Sequence, residues 1–149
     1  MITKITVGHV LRTKGFGFQG IGPASTAYEA LEMMAEKNVG ALPVLENGLL
    51  IGVFSERDYA RKVVLKGKSS KNTAVREVMS SPPIYVDPGT TLRECMVLMT
   101  KNRVRHLPVL DKGVLLGIIS IGDAVNAVIS EQDATIEELE GFIAGTGYQ

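Results

Sequence analysis

Two serine–aspartate pairs with identical spacing are the residues of this chain best suited to bind a ligand. Ser55 precedes Asp58 by three residues, and Ser120 precedes Asp123 in the same way. A carboxylate can accept hydrogen bonds from two neighbouring hydroxyls, as on a ribose, and the free amides at a helix start attract phosphate. The same pattern is also a helix cap that needs no ligand. The residues alone therefore leave both interpretations open.

Both pairs lie at the same place in an internal repeat. The tetrapeptide Leu-Pro-Val-Leu occurs at 42–45 and again at 107–110, and glycines follow each copy at matching positions. A block of about 40 residues, 25–64, is echoed without a gap by 90–129, and a repeat of that length is a unit of architecture. Two copies predict an internal pseudo-two-fold axis and two equivalent clefts.

Each copy is predicted to contain a helix, two strands and a second helix. Apolar residues at helical spacing predict helices over 26–37 and 91–101, and both open with Thr-x-x-Glu, the pattern of a capping box. Apolar runs around Gly-containing turns predict two β-hairpins, with strands at 41–45 and 49–54, and at 106–110 and 114–119. The second helix of each copy is expected to begin at Ser55 or Ser120, so that the motif sits where a strand becomes a helix.

The repeat predicts the organisation of the chain. We expect a first repeat over 7–66, a polar linker over 67–74, a second repeat over 75–130, and a tail over 131–149 that contains an amphipathic helix. Short matching elements, 7–11 and 75–79, lead the two copies, and the stretch after the first is three residues longer.

Composition excludes several classes of function. The chain has 149 residues and a formal net charge of zero, which argues against broad nucleic-acid binding. It has no apolar run of the ~18 residues that a membrane span needs and no signal-peptide pattern, so a cytoplasmic location is expected. The single cysteine, Cys95, matches Ala30 in the first copy and is interpreted as a buried thiol.

Catalysis and metal binding find no support in the sequence. The two histidines, His9 and His106, are far apart, and neither forms a recognisable nucleophile–base pair. The segment 15–20 fits G-x-G-x-x-G, but it lacks the strand before it and the helix after it that a dinucleotide fingerprint requires. We interpret it as a loop.

The repeat resembles the cystathionine-β-synthase (CBS) domain, and the whole chain is similar to proteins made only of a tandem pair of these domains, called a Bateman module. The likeness is carried by 39–44 with 52–58, and by 103–109 with 117–123. It implies an α/β fold of two β-α-β-β-α repeats, packed by pseudo-two-fold symmetry through their sheets. It also implies a homodimer in the form of a flat disc of four repeats.

The resemblance implies a non-catalytic regulatory module that senses an adenine nucleotide and signals its occupancy to a protein partner. The ligand would be AMP, ADP, ATP or NAD(H), with AMP favoured, in clefts between the repeats. The family pattern assigns the ribose to the motif aspartate and the phosphate to the motif serine. It assigns the adenine to the segment ahead of the first helix. In this chain those residues are Asp58 and Asp123, Ser55 and Ser120, and Ile21, Ile84, Tyr85, Val86 and Thr90.

The two predicted clefts differ in charge. Arg105 and His106 stand where the first copy has Gly40 and Ala41, and cationic groups there are expected to bind phosphate. Arg57 is a third candidate for the phosphate, and Gly122 replaces it in the second copy. We therefore expect two unequal sites, with the Asp123 site better suited to AMP. The alternative is a dimerisation module without a ligand, in which both serines are only helix caps.

Overall fold

The computed structural model describes residues 4–131. The predicted amphipathic tail lies outside the described residues, apart from its first residue. In chain order the elements are α1 (Val7–Lys14), α2 (Ala27–Lys37), β1 (Ala41–Glu46), β2 (Leu49–Ser55), α3 (Glu56–Asp58), a π-helical continuation (Tyr59–Val64), α4 (Val75–Val78), α5 (Leu92–Asn102), β3 (His106–Asp111), β4 (Val114–Ser120) and α6 (residues 121–131). The architecture is mixed α/β with two small antiparallel sheets, which confirms the predicted fold class.

The described residues fall into two compact units, and each unit draws on both sequence repeats. The Asp123 unit comprises residues 4–15, 86–107 and 119–131, and the Asp58 unit comprises residues 16–85 and 108–118. Strands β3 and β4 contribute to both units. The short leader of the first repeat, α1, thus belongs with the helices of the second repeat, and α4 belongs with those of the first.

The predicted hairpins are present. β1 pairs antiparallel with β2, with Leu42 opposite Phe54, and the register shifts between Val44 and Leu45. The connecting turn has positive φ at both central residues, 54° at Asn47 and 79° at Gly48, which is the turn that matches the twist of a hairpin. The β3–β4 turn repeats this geometry at Lys112 and Gly113, with φ of 52° and 83°.

The predicted helix starts are correct. Thr26 precedes α2 and accepts the Glu29 amide at 3.1 Å, while the Glu29 carboxylate accepts the Thr26 amide at 3.0 Å. The hydrogen bonds that the Glu29 carboxylate accepts from the Thr26 amide and the Thr26 hydroxyl hold the pKa of Glu29 below its ordinary value. Thr91 precedes α5 and accepts the Glu94 amide at 3.1 Å. Cys95 is buried on α5, and burial raises the pKa of its thiol to about 11, as expected for a structural thiol.

The core of the Asp58 unit forms where α2 and the buried strand β1 meet. Phe54, Leu42 and Met34 are its largest side chains with almost no exposure. The segment ahead of α2 adds to this core through Ile21, which pairs in parallel with Val44 at the open edge of β1. Within residues 4–131, every helix is too short or too polar to traverse a bilayer.

The turn at Gly48 supplies a test of the hairpin geometry. Its φ of 79° is costly for any residue with a Cβ, although no atom lies within 4 Å of the place where a Cβ would stand. Gly48→Ala should therefore destabilise the protein by about 1–2 kcal/mol through backbone strain alone. The matched control is Gly22→Ala, which is equally open but has no positive φ, and it should be neutral or slightly stabilising. Urea unfolding of both variants is the measurement, and equal stability would contradict the turn assignment.

Candidate functional site

Asp58 lies in the first turn after β2, and its carboxylate holds four donors. Its Oδ2 accepts the amide and the hydroxyl of Ser55, both at 3.1 Å. Its Oδ1 accepts the Ser80 hydroxyl at 2.9 Å and pairs with the Lys62 ammonium at 3.1 Å. Since a carboxylate offers about four acceptor positions, the Asp58 carboxylate is filled. Its side chain is only 12 % exposed.

Ser80 reaches Asp58 because Gly52 has no side chain. Ser80 pairs with Val53 through two backbone hydrogen bonds, of 3.0 and 2.8 Å. A Cβ on Gly52 would lie 2.6 Å from the Met79 sulfur and 2.9 Å from the Ser80 carbonyl oxygen. The repeated glycine of the motif is thus what lets the segment after α4 lie against β2. Beside this site the helix continues as a π-helix over Tyr59–Val64. π-Helices are rare in proteins overall, and those that occur are often found at functional sites.

The Asp123 carboxylate is bound by Lys14 and Ser120 and is more exposed than that of Asp58. Its Oδ2 accepts the Ser120 amide at 2.9 Å and the Lys14 ammonium at 2.7 Å. The Asp123 amide in turn donates to the Ser120 hydroxyl at 3.1 Å. Burial raises the pKa of Asp123, but the hydrogen bonds from Lys14 and Ser120 outweigh it and leave the pKa below its ordinary value. The carboxylate is therefore ionised at neutral pH, and its side chain is 21 % exposed.

Both motifs form reciprocal helix caps. In each, the serine oxygen accepts the aspartate amide and the aspartate carboxylate accepts the serine amide. The capping interpretation of Ser-x-x-Asp is therefore correct for this structure. It does not compete with ligand binding at Asp123, because the cap uses one acceptor position of a carboxylate that has about four.

Arg105 and His106 lie beside the start of α6, close to Ser120 and Asp123. The Arg105 carbonyl accepts the Ile121 amide at 2.8 Å. Burial lowers the pKa of His106, the Lys14 charge lowers it further, and the nearby Asp123 only partly offsets them. His106 is thus neutral at pH 7, and an added anion would favour its protonation. The structure brings together four polar residues that sequence analysis assigned to this site.

The remaining candidates lie in different surroundings. Arg57 is half-buried in α3, and Gly122 is exposed at the equivalent place. Ile21 is 6 % exposed, its amide donates to the Pro43 carbonyl at 3.0 Å, and its carbonyl accepts the Leu45 amide at 2.9 Å. Its side chain is thus buried in the core of the Asp58 unit, and both of its backbone polar groups are hydrogen-bonded to β1.

The four adenine candidates of the second copy are divided between the units. Ile84 is half-buried and Tyr85 is exposed, both in the Asp58 unit. Val86 is buried and Thr90 is half-buried, both in the Asp123 unit. The Thr90 carbonyl accepts the Val7 amide at 2.8 Å, so this segment anchors the start of α1. Its side chain closes a turn by accepting the Asp87 amide at 3.2 Å.

A cavity of about 470 Å³ opens beside Asp123, between α1 and α6. This volume lies within the ~300–1,000 Å³ of small-molecule sites. Its lining residues are Ile5, His9, Val10, Thr13, Lys14, Asp123, Asn126, Ala127, Ser130 and Glu131. Among residues 4–131, no three histidine, cysteine or acidic side chains converge in a way that could hold a metal ion.

Three residues that contact the motif carboxylates were not predicted from the sequence. Lys62 lies four residues after Asp58 on a helix, a spacing that could have revealed the pair. Ser80 and Lys14 could not be found from the repeat, since each belongs to the leader of one copy and contacts the aspartate of the other.

Comparison with known proteins places the chain in a family. The family model described as CBS domain matches residues 20–65 and 75–130, together more than half of the chain. The CBS domain-containing protein CBSX3, mitochondrial, of Arabidopsis thaliana is 40 % identical over 153 residues, covering 96 % of this chain and 73 % of that protein. A signal-transduction protein with CBS domains from Burkholderia ambifaria has a solved structure with TM-score 0.82 and 47 % identity, covering 85 % of this chain and 96 % of that one. The crystal structure of CBSX2 in complex with AMP has TM-score 0.68 and 29 % identity, covering 86 % and 98 %.

The electrostatic coupling at the Asp123 site can be tested on His106. Lys14→Met removes a charge that lowers the His106 pKa and leaves Asp123, which raises it, so the pKa should rise. NMR titration of the imidazole measures the pKa of His106, and Lys62→Met of the Asp58 unit is the control that should leave this pKa unchanged.

The lowered pKa of His106 also predicts how stability depends on pH. In the unfolded chain His106 takes up a proton near the ordinary value of 6.5, whereas in the folded protein it does so only at a lower pH. His106 should therefore contribute a loss of stability as the pH falls below 6.5.

Proposed function

Since the chain belongs to the CBS domain family and carries two copies of the domain, we propose that it is a regulatory module that binds an adenine nucleotide and passes its occupancy to a protein partner. The proposed ligand is AMP, bound first at the Asp123 site. Such a module works without catalysis, because a ligand that binds one conformation more tightly than another shifts their populations. We expect it to act in the cytoplasm.

The observation that carries this proposal is the state of the Asp123 carboxylate. It is ionised, partly exposed, and borders a cavity of about 470 Å³. Its printed donors come from Lys14 and Ser120, and a carboxylate has about four acceptor positions, so it can still accept from a ribose diol. Lys14 pairs with it directly, and His106, which feels the charges of Lys14, Asp123 and Arg105, is a nearby group suited to a phosphate. The AMP held by CBSX2 supports the choice of nucleotide.

The Asp58 site is proposed as the weaker of the two. Its carboxylate is filled by four donors and is more buried, so a ribose would have to displace a contact already made. Arg57 beside it is the cation proposed to bind phosphate there. NAD(H), ADP and ATP are the other ligands to be compared, because the larger phosphate group of each would meet different cations at the two sites.

Calorimetry with AMP, ADP, ATP and NAD⁺ tests the proposal. We expect AMP to bind, and Asp123→Ala to weaken it at least tenfold, because the ribose loses a charged acceptor. Asp58→Ala should have a smaller effect. Glu56→Ala is the matched control, since this neighbouring acid at a helix start is exposed and lies outside the site.

The ligand-free alternative makes the opposite prediction in a thermal-shift experiment. A ligand that binds only the folded protein stabilises it by about 2.7 kcal/mol at one hundred times its Kd. We therefore expect the melting temperature to rise with AMP. If all four nucleotides leave it unchanged at millimolar concentration, the module acts only through dimerisation.

We also propose that the protein is a homodimer. In the Asp123 unit, Val97 on α5 and Val125 and Ile129 on α6 are exposed by 56 %, 43 % and 48 %. Exposed apolar side chains such as Val125 and Ile129, four residues apart on one helix, are typical of surfaces that bind another protein.

A charge at this surface should separate the subunits. Val125→Lys is expected to convert the dimer to a monomer, because it places an ammonium in a desolvated contact. Val114→Lys is the control, since Val114 is at least as exposed, at 61 %, but lies at the β3–β4 turn. Native mass spectrometry reports the subunit count and any co-purified nucleotide, and a dimer that survives Val125→Lys would contradict this interface.

A further inference from the structure

We propose that the C-terminal segment of the chain, residues 132–149, docks on an exposed basic and apolar surface of the Asp58 unit. This surface is formed by the exposed side chains of residues 61–71, at the end of the helix that begins after Ser55, and we call it the 61–71 surface. The contact is a second interaction of the molecule, and it does not depend on nucleotide binding.

The apolar part of the 61–71 surface is exposed in an ordered turn. Leu65 is 77 % exposed, more than any other large apolar side chain in the part of the chain that the structure describes, and its neighbour Val64 is 54 % exposed. The Leu65 amide donates to the Ala60 carbonyl at 3.0 Å, and the Lys68 amide donates to the Val63 carbonyl at 2.9 Å. Backbone hydrogen bonds therefore hold the end of this helix in a conformation that presents Leu65 to its surroundings.

Cations accompany these apolar side chains. Arg61 is exposed and lies four residues before Leu65 on the helix, so the two are neighbours on its surface. Lys66, Lys68 and Lys71 follow along the chain and are exposed as well. Residues 61–71 include five basic residues and no acidic one, in a chain whose formal net charge is zero. The surface is thus suited to a partner that carries acidic and apolar groups together.

The second repeat shows that the fold does not require this surface. At the offset of the repeat, Ser130 replaces Leu65. Glu131 replaces Lys66 in the same way, which reverses the charge. The same helix thus ends in a polar and acidic sequence in one copy and in an apolar and basic sequence in the other. The exposed leucine and the cations of the first copy therefore indicate a contact rather than a need of the architecture.

The segment that follows the described residues has the complementary composition. Residues 132–149 contain four acidic residues and no basic one. Interspersed with these acids are the apolar residues Ile136, Leu139, Phe142 and Ile143. Carboxylates that face the cations, together with apolar side chains that cover Leu65, match the 61–71 surface in both charge and hydrophobicity.

Covalent attachment favours this occupant over any other. The segment 132–149 has eighteen residues, and a chain of that length extends up to ~60 Å. A segment tethered to the surface that it binds has an effective concentration on the order of millimolar, so a few exposed ion pairs and one apolar contact are sufficient to hold it. We therefore assign the 61–71 surface to the segment of the same chain rather than to that of a second copy.

A tryptophan reporter tests the contact in the full-length chain. The protein has no tryptophan, so Phe142→Trp places a single such fluorophore in the segment. Docking should move its emission to shorter wavelength and shield it from quenching by acrylamide. Leu65→Ser introduces the residue of the second copy and should lower the docking constant about tenfold, the factor expected for one buried leucine side chain. Lys66→Glu should lower it by a smaller factor that added salt diminishes, because exposed ion pairs are weak and screened.

The matched controls are Leu49→Ser and Lys112→Glu, because both residues are exposed at hairpin turns of the same unit, away from the 61–71 surface in sequence. Neither should change the emission or the quenching. If the tryptophan is quenched as readily as free tryptophan, or if it stays shielded in both Leu65→Ser and Lys66→Glu, docking at this surface is refuted. Shielding that is lost on dilution would assign the segment to a second copy and would also contradict the proposal. AMP binding is measured separately by calorimetry, so failure of the docking leaves the proposed function standing.

Discussion

The hydrogen bond from the motif serine amide to the motif aspartate carboxylate fixes both junctions between strand and helix. It satisfies an amide that the helix cannot, and it turns the carboxylate back towards the sheet. The fold therefore uses one acceptor position of the carboxylate, and only the remaining positions are open to a ligand. The two demands are compatible only because a carboxylate accepts about four hydrogen bonds. What else occupies the remaining positions therefore decides whether a site is available.

The two motif carboxylates differ in which other groups bind them, although the motifs themselves are the same. At Asp58 the remaining positions are taken by the Ser55 hydroxyl, Ser80 and Lys62, which leaves a buried and stabilised carboxylate. At Asp123 the Lys14 ammonium and the Ser120 amide bind the same carboxylate oxygen, and the side chain is more exposed than that of Asp58. The difference originates in the leaders, because each one contacts the aspartate of the other repeat.

Local signals predicted α2, α5 and the two hairpins from the sequence, but not the helical form of α1 and α4 or the π-helix after α3. Helical spacing and Thr-x-x-Glu predicted α2 and α5, and a Gly-containing turn between apolar runs predicted the hairpins, because these depend on neighbours in the chain. Arg105 and His106 were assigned to the second cleft by comparing the two copies, and their role there stays a prediction. Ser80 and Lys14 could not be predicted, since their contacts join segments that are distant in sequence. The pairing of Ile21 with Val44 likewise joins segments that are distant in sequence, and the repeat did not predict it.

An unequal pair of sites has a consequence for signalling. A ligand changes a conformational equilibrium only through a difference in its affinity for the two states. At Asp58, where four donors from one unit surround the carboxylate, binding would exchange contacts within a packed cluster. At Asp123 the cation belongs to α1, and its ion pair joins the C-terminal end of α1 to the first turn of α6. A ligand that changed this ion pair would therefore change how α1 is held. The contact is particular to the second motif, because the residue that follows α4 and contacts Asp58 is the neutral Ser80.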